Sequence, residues 1–235
     1  MQYLGGKVRL AKYIASEIVQ HIPLGGTYVE PFCGACAVAI KVREYRPDVK
    51  IICNDLHPYL IALLRGVADG SFDPPETLSE DEYKYIRANK DENPALAGFA
   101  GFGCSFSGRW FQGYARSEGQ NFADEARRSL KQSSYHSIQF YNLDYRALEI
   151  PEGAVVYCDP PYKDTKGYSG VPLFDYSAFL TWIKALALSH DVFMSEYAEN
   201  VNAGARVVWS KTYAGVLRTG DQKKRPVRTD VLVKV

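Results

Sequence analysis

Thr27-Tyr28-Val29-Glu30-Pro31-Phe32-Cys33-Gly34 is a short apolar run that ends in an acid and a tight turn. Residues 27–30 read as a buried strand, set off from the preceding segment by Pro23 and the pair Gly25-Gly26. The turn at 31–34 leads into an apolar segment from Ala35 to Tyr45, which reads as a helix. Val49-Lys50-Ile51-Ile52-Cys53 then repeats the strand pattern and ends at Asn54-Asp55, ahead of a second predicted helix from Pro58 to about Ala68. Strand, helix, strand, helix in that order calls for parallel strands joined by crossover helices, so the chain is expected to be an α/β protein.

Outward from this block the same alternation recurs. Upstream, Leu10, Ile14, Ile18 and Ile22 keep the i, i+4 spacing of an amphipathic helix over residues 8–22. Downstream, residues 137–142 and 154–158 read as strands, 176–189 as a helix and 191–195 as a strand. Two β-rich segments, 206–213 and 229–235, suggest an antiparallel hairpin closing one sheet edge. Residues 69–135 are different: rich in Gly, Ser, aromatics and charge, with weak periodicity. The expected organisation is one sheet domain from 1–68 and 136–235, with helices on both faces and a small, mostly helical lobe inserted at 69–135.

Bulk properties narrow the function classes. A chain of 235 residues that is 46% hydrophobic can bury one sizeable core. It has no apolar run long enough to span a membrane and no signal-peptide pattern at its start, so a cytoplasmic protein is expected. Five cysteines, an odd number without framework spacing, argue against a disulfide scaffold. Cys33-Gly34-Ala35-Cys36 is formally a C-x-x-C, but no second ligand pair follows it in sequence, and no metal is expected. A net charge of +1 gives no global pull toward nucleic acid, so any such contact must rest on local basic patches.

Three constellations carry chemistry. In open α/β sheets, ligands bind beyond the C-terminal ends of the strands, where the strand order reverses. The turn with Glu30, Phe32 and Gly34 lets backbone approach a nucleoside cofactor there, and Asp55, 21 positions beyond Gly34, is placed to accept hydrogen bonds from ribose hydroxyls. The loop lacks a full G-x-G-x-x-G, which fits a ligand without pyrophosphate; an ordinary strand–helix turn accounts for the pattern equally well. Asp159-Pro160-Pro161-Tyr162 directly follows the apolar strand 154–158. The amino group of a base is a poor nucleophile, because its lone pair is delocalised into the ring. A carboxylate and a backbone carbonyl that accept its two N–H bonds favour the tetrahedral, nucleophilic form; two prolines fix that carbonyl, and a tyrosine can stack on the base. Leu4-Gly5-Gly6-Lys7 lets the backbone pass close to a ligand, and Lys7 can pair with a carboxylate of the cofactor or of the protein.

Tyr3-Leu4-Gly5-Gly6-Lys7, Tyr28–Gly34, Asn54-Asp55 and Asp159–Tyr162, in that order, resemble the Dam-type family of DNA adenine N6-methyltransferases, the α class of amino methyltransferases. Weaker echoes are Asn142-Leu143-Asp144, Met194-Ser195-Glu196-Tyr197 and Thr229–Val233. The resemblance implies a Rossmann-like S-adenosylmethionine-dependent methyltransferase sheet, S-adenosyl-L-methionine as cofactor, and double-stranded DNA as partner of a monomer or weak dimer. It implies that Tyr3 and Lys7 help hold the cofactor, that Asp55 binds its ribose and that Asp144 lies near its adenine. Asp159 would stand between cofactor and target amine, with the Pro160 carbonyl as second acceptor, and Tyr162 would stack on an extruded adenine. One departure is Cys36, where the family usually has a second glycine; it is expected to narrow the pocket.

On the DNA side, Gly103–Arg116 interleaves aromatics and arginines with glycines, and Arg109, Tyr114 and Arg116 are candidate contacts. Trp110, Phe111 and Tyr114 can equally form the lobe's own core. Arg127, Arg128 and Lys131 read more as a solvated helix face, whereas Lys223, Lys224 and Arg225, with Arg218 and Arg228, form a basic loop that can follow a DNA backbone. The four histidines form no catalytic set. The competing readings are methylation of cytosine N4 or of adenine in RNA, and a catalytically silent DNA-binding module on the same fold; an Asp at position 159 favours adenine by resemblance.

Overall fold

The computed structural model describes residues 6–162, 171–201, 205–214 and 227–235. Among the described residues, seven strands form one sheet: β1 (Thr27–Glu30), β2 (Lys50–Asn54), β3 (Ile138–Tyr141), β4 (Val155–Cys158), β5 (Asp191–Tyr197), β6 (Arg206–Ala214) and β7 (Val227–Lys234). Their order is β3-β2-β1-β4-β5-β7-β6. The first five run parallel, and β7 enters antiparallel between β5 and β6. The expected hairpin therefore closes the sheet edge, with its second strand on the inside. From β1 the chain steps outward through β2 to β3, then returns to place β4 on β1's other side, so the strand order reverses between β1 and β4.

Alternate strand residues enter two separate cores, as a sheet covered on both faces requires. Tyr28, Ile51, Cys53, Val155, Tyr157 and Phe193 face one side, with α1 (Ala11–Ile18), α2 (Ala37–Tyr45) and α3 (Pro58–Asp69). Val29, Ile52, Val156, Cys158, Val192 and Met194 face the other, against Phe179 and Ile183 of α7 (Tyr176–Leu186). The helix expected over 8–22 is α1 followed by a 3-10 turn at Val19–His21. The helix expected from Ala35 starts at Ala37, because Cys36 sits in the left-handed region at φ 60°, ψ 30° and cannot be part of it.

The middle segment holds α4 (Glu80–Ala88), α5 (Pro94–Gly98), a π-turn at Phe99–Gly103 and α6 (Phe122–Gln132). Each helix starts on a side-chain cap: Ser79 with Glu82 in a reciprocal box, then Asn93 and Asn121. The segment packs onto α3 through Ala97, Phe99 and Leu130, which share the core of the first sheet face. A Cβ at Gly98 would lie 2.1 Å from the Tyr59 carbonyl oxygen, so only glycine permits this approach. Among the described residues, no helix is long and apolar enough to cross a membrane.

Candidate active site

A cavity of about 370 Å³ opens at the C-terminal ends of β1, β2 and β4, where the strand order reverses. Sequence-separated segments meet there: Lys7, the turn 30–34, Asp55, Asp144 and Asp159 all line it. The turn is built by backbone. The Cys33 N–H donates to the Asn54 carbonyl (2.8 Å) and the Cys36 N–H to the Cys33 carbonyl (2.8 Å). Gly34 takes φ 48°, a conformation natural to glycine, and its N–H donates to Asp55 Oδ2 at 3.0 Å. The other Asp55 oxygen accepts from the His57 N–H at 2.9 Å. Burial raises the Asp55 pKa against these two bonds. Asp55 thus orients the turn while facing the cavity, and each oxygen keeps acceptor capacity for a ligand hydroxyl.

Asn54 is a site residue that the sequence motif contained without disclosing its job. It is 1% exposed, and its Nδ2 donates to the carbonyls of Pro31 and Leu143, both at 3.0 Å, while its Oδ1 accepts from the Leu143 N–H at 2.9 Å. One amide thereby ties the turn after β1 to the segment after β3. Asp144 lies on that segment in a fork with Arg146, at 2.8 and 2.7 Å, and the guanidinium holds its pKa down. Phe32 packs against Tyr145, Phe174 and Phe179 at 5.1–5.7 Å between ring centroids, giving the cavity an apolar wall.

Asp159 leaves β4 on the opposite side of β1. Its carboxylate pairs with the Lys7 ammonium at 2.7 Å, and Lys7 is held there because its own carbonyl accepts the first N–H bonds of α1. Burial raises the Asp159 pKa, and Lys7 partly offsets this. The same ammonium lies 4.6 Å from the Tyr162 ring centroid, and Tyr197 meets that ring edge-on at 4.5 Å. Tyr197, which the sequence offered only as a weak echo, is itself held by Arg228 donating to its hydroxyl at 3.0 Å. Glu30 is 2% exposed, accepts from the Tyr28 hydroxyl at 2.7 Å, and is pushed up to about 8 by burial.

Cys36 does not narrow the cavity as expected. Its backbone takes the left-handed conformation that a glycine would adopt, and its side chain is fully buried in the core beside Cys53 rather than in the cavity wall. His57 is also within the cavity lining, enclosed by Trp110 and Phe102 at 4.4 and 4.8 Å.

The basic candidates divide. Arg109 is exposed on the cavity rim, near Phe106, which is 62% exposed. Tyr114 is turned into the middle segment, where its hydroxyl donates to the Leu78 carbonyl at 2.5 Å and its ring packs on Tyr83. Arg116 pairs with Glu80. Arg128 and Lys131 are exposed, as a solvated helix face requires, whereas Arg127 is half-buried; the three pair with Asp73, Glu76 and Asp124. Tyr3, Arg218, Lys223, Lys224 and Arg225 lie outside the described residues. Pro160 is buried behind Asp159, and Pro161 rather than Pro160 lines the cavity.

Comparison with known proteins gives the site a context. Residues 3–97 match the family model of the D12 class N6 adenine-specific DNA methyltransferases. The chain is 27% identical over 181 residues to the retron Ec67 DNA adenine methylase of Escherichia coli, covering 66% of this chain and 62% of that protein. It therefore spans a little under two thirds of the length of the curated relative it matches. Among solved structures, a Streptococcus mutans protein assigned as a methyltransferase and solved with SAH is similar at a TM-score of 0.40 and 9% identity, with 98% of each chain covered. The precorrin-6y C5,15-methyltransferase of Geobacter metallireducens is similar at 0.37 and 12%, over 96% of this chain and 88% of that one. Likenesses this distant carry no argument about function.

Proposed function

We propose that this chain, whose residues 3–97 match the family model of the D12 class N6 adenine-specific DNA methyltransferases, transfers the methyl group of S-adenosylmethionine to N6 of an adenine extruded from double-stranded DNA. The observation that carries this reading is Asp159: a half-buried carboxylate at the end of β4, at the point where the strand order reverses, with an N–H donor already on it and the Tyr162 ring beside that donor.

The residues present fit the cofactor. The cavity, about 370 Å³, falls in the range of roughly 300–1,000 Å³ typical of small-molecule sites. Gly34 presents bare backbone, Asp55 offers acceptors for ribose hydroxyls, and the Phe32–Tyr145 wall offers an apolar face for a purine. When bound, S-adenosylmethionine supplies a methyl group on a positively charged sulfonium. The carboxyl groups of Glu30 and Asp159 in the lining present acceptor oxygens toward that charge.

On the substrate side, Asp159 accepts one N–H bond of the adenine amine, and the backbone carbonyl next to it, that of Pro160, would have to turn toward the cavity, which Pro160 does not line, to accept the other. That draws the nitrogen lone pair out of conjugation and aims it into the cavity. Tyr162 stacks on the base, an interaction worth about 1–3 kcal/mol, against an extrusion cost of roughly a few kcal/mol. Burial raises the Asp159 pKa, and the Lys7 ammonium offsets part of that rise and so favours the carboxylate. Catalysis then rests on positioning and fixed charge, with no covalent enzyme intermediate. Arg109 and Phe106, exposed beside the cavity mouth, are the rim residues proposed to meet DNA, and residues 69–135 are proposed as the target-recognition lobe.

The test is transfer of labelled methyl from S-adenosylmethionine to unmethylated duplex DNA, followed by nucleoside analysis, with Asp159→Ala alongside. N6-methyladenine made by the parent and absent with the variant is the expected result. Label in N4-methylcytosine would overturn the base assignment, and cofactor binding without transfer to any DNA would overturn the DNA assignment.

A further inference from the structure

The C-x-x-C at Cys33 and Cys36 lacks a partner pair in sequence, but the fold supplies a third thiol. Cys53 ends β2 next to β1, and the Sγ atoms of Cys33, Cys36 and Cys53 all lie within 4.8 Å of one another. The three residues are 6%, 0% and 0% exposed. We propose that Cys33, Cys36 and Cys53 form a three-thiolate site for one divalent thiophilic cation of the zinc class.

The geometry suits such an ion. With metal–sulfur bonds of about 2.3 Å, three sulfurs around one ion stand roughly 4 Å apart. The cluster needs to contract by less than about 1 Å to reach that spacing. The backbone is already fixed for it: the Cys33 N–H bond to the Asn54 carbonyl holds the turn against the end of β2, and the Cys36 N–H bond to Cys33 closes the turn. The left-handed conformation of Cys36, strained for a residue with a Cβ, is what sends its side chain inward to the other two. The three thiols interact with one another, and Cys33 and Cys36 also share the distant Gly34 carbonyl as acceptor, at 3.6 and 3.9 Å.

Charge is also accounted for. Loading forms three sulfur–metal bonds and releases three S–H protons to the buffer, with no electron transferred. The loaded site carries one net negative charge, next to the N-terminus of α2, where the helix dipole favours it. The titratable groups around the cluster are Tyr28, Glu30, Asp55 and Tyr135. Because Cys33 also lines the cavity, a bound ion would brace the turn that carries Gly34.

The experiment is titration of the reduced, chelator-treated chain with cadmium, read by the thiolate-to-metal charge-transfer absorbance and by proton release. One ion per chain, about three protons per ion, and at least a tenfold weaker affinity in Cys53→Ser are expected, with Cys104→Ala unchanged. No absorbance band, or a band indifferent to Cys53→Ser, would overturn the proposal. Should Cys53→Ser fail to fold, X-ray absorption of the zinc-loaded parent decides: three sulfur neighbours at about 2.3 Å support the site, and two or fewer refute it.

Discussion

His57 is 4% exposed, and among the described residues neither ring nitrogen has a hydrogen-bond partner. Its ring is instead enclosed by Trp110, Phe102 and Tyr59. Removing an imidazole from water penalises its charged form, and burial lowers the His57 pKa from 6.5 to about 4. The folded value lies below the unfolded one, so between the two the unfolded chain binds a proton that the native chain refuses. Stability from this group is therefore complete above about pH 6.5 and is lost as pH falls toward 4. At about 1.4 kcal/mol per pH unit, the interval corresponds to roughly 3 kcal/mol. Replacing the ring by Phe removes the titration and keeps the aromatic contacts. Urea unfolding of the parent and of His57→Phe at about pH 7.5 and about pH 4.5 measures the difference; acids such as Glu30 and Asp159 titrate in both proteins and cancel. The parent is expected to lose about 2–3 kcal/mol more than the variant over this range. Equal losses would show that the imidazole is solvated or hydrogen-bonded, and the enclosed, neutral ring described above would be wrong.

Lys7→Met should raise the Asp159 pKa further, since burial would then act unopposed, and shift the acid limb of methyl transfer to higher pH; a pH–rate profile of kcat checks this. Asn54→Ala should cost about 2–4 kcal/mol in urea unfolding, because it strands the buried polar groups of Pro31 and Leu143, and should weaken S-adenosylmethionine binding in calorimetry. Gly98→Ala places a methyl group against the Tyr59 carbonyl and should destabilise by about 3 kcal/mol, seen as a lower thermal midpoint with the cofactor affinity of the folded fraction retained.

What the sequence disclosed was whatever depends on local order. Residues 27–30 and 50–54 are strands because each is an apolar run bounded by turn formers, and both were legible as such. The cavity lining was legible for the same reason: Gly34, Asp55 and Asp159 each end or follow a strand, and parallel strands bring such ends to one edge. What escaped depends on which strands become neighbours. Cys53 joins Cys33 and Cys36 only because β2 pairs with β1 in the register Glu30 to Cys53, and spacing along the chain carries no trace of that. The direction of the Cys36 side chain likewise follows from a left-handed backbone that the residue type disfavours. Tyr114 and Arg116 looked like nucleic-acid contacts by composition, and their partners, Leu78 and Glu80, lie 36 residues away.

The charges in and around the cavity separate its depth from its rim. Glu30 and Asp159 line it, and Glu196 and Asp230 stand close enough to Asp159 to push its pKa upward, while Lys7 is engaged by Asp159 itself. A phosphate brought to that depth would meet carboxylates, whereas a sulfonium or an amine N–H would meet acceptors. In the proposed reaction, duplex DNA, which carries phosphate throughout, is held at the rim while only a neutral base enters. The exposed, cationic Arg109 at the cavity mouth fits that division, and Lys7 already rehearses the inner half of it. Its ammonium occupies, against Asp159 and over Tyr162, the position proposed for the adenine amine. In the proposed reaction the incoming amine therefore competes with the ammonium for Asp159.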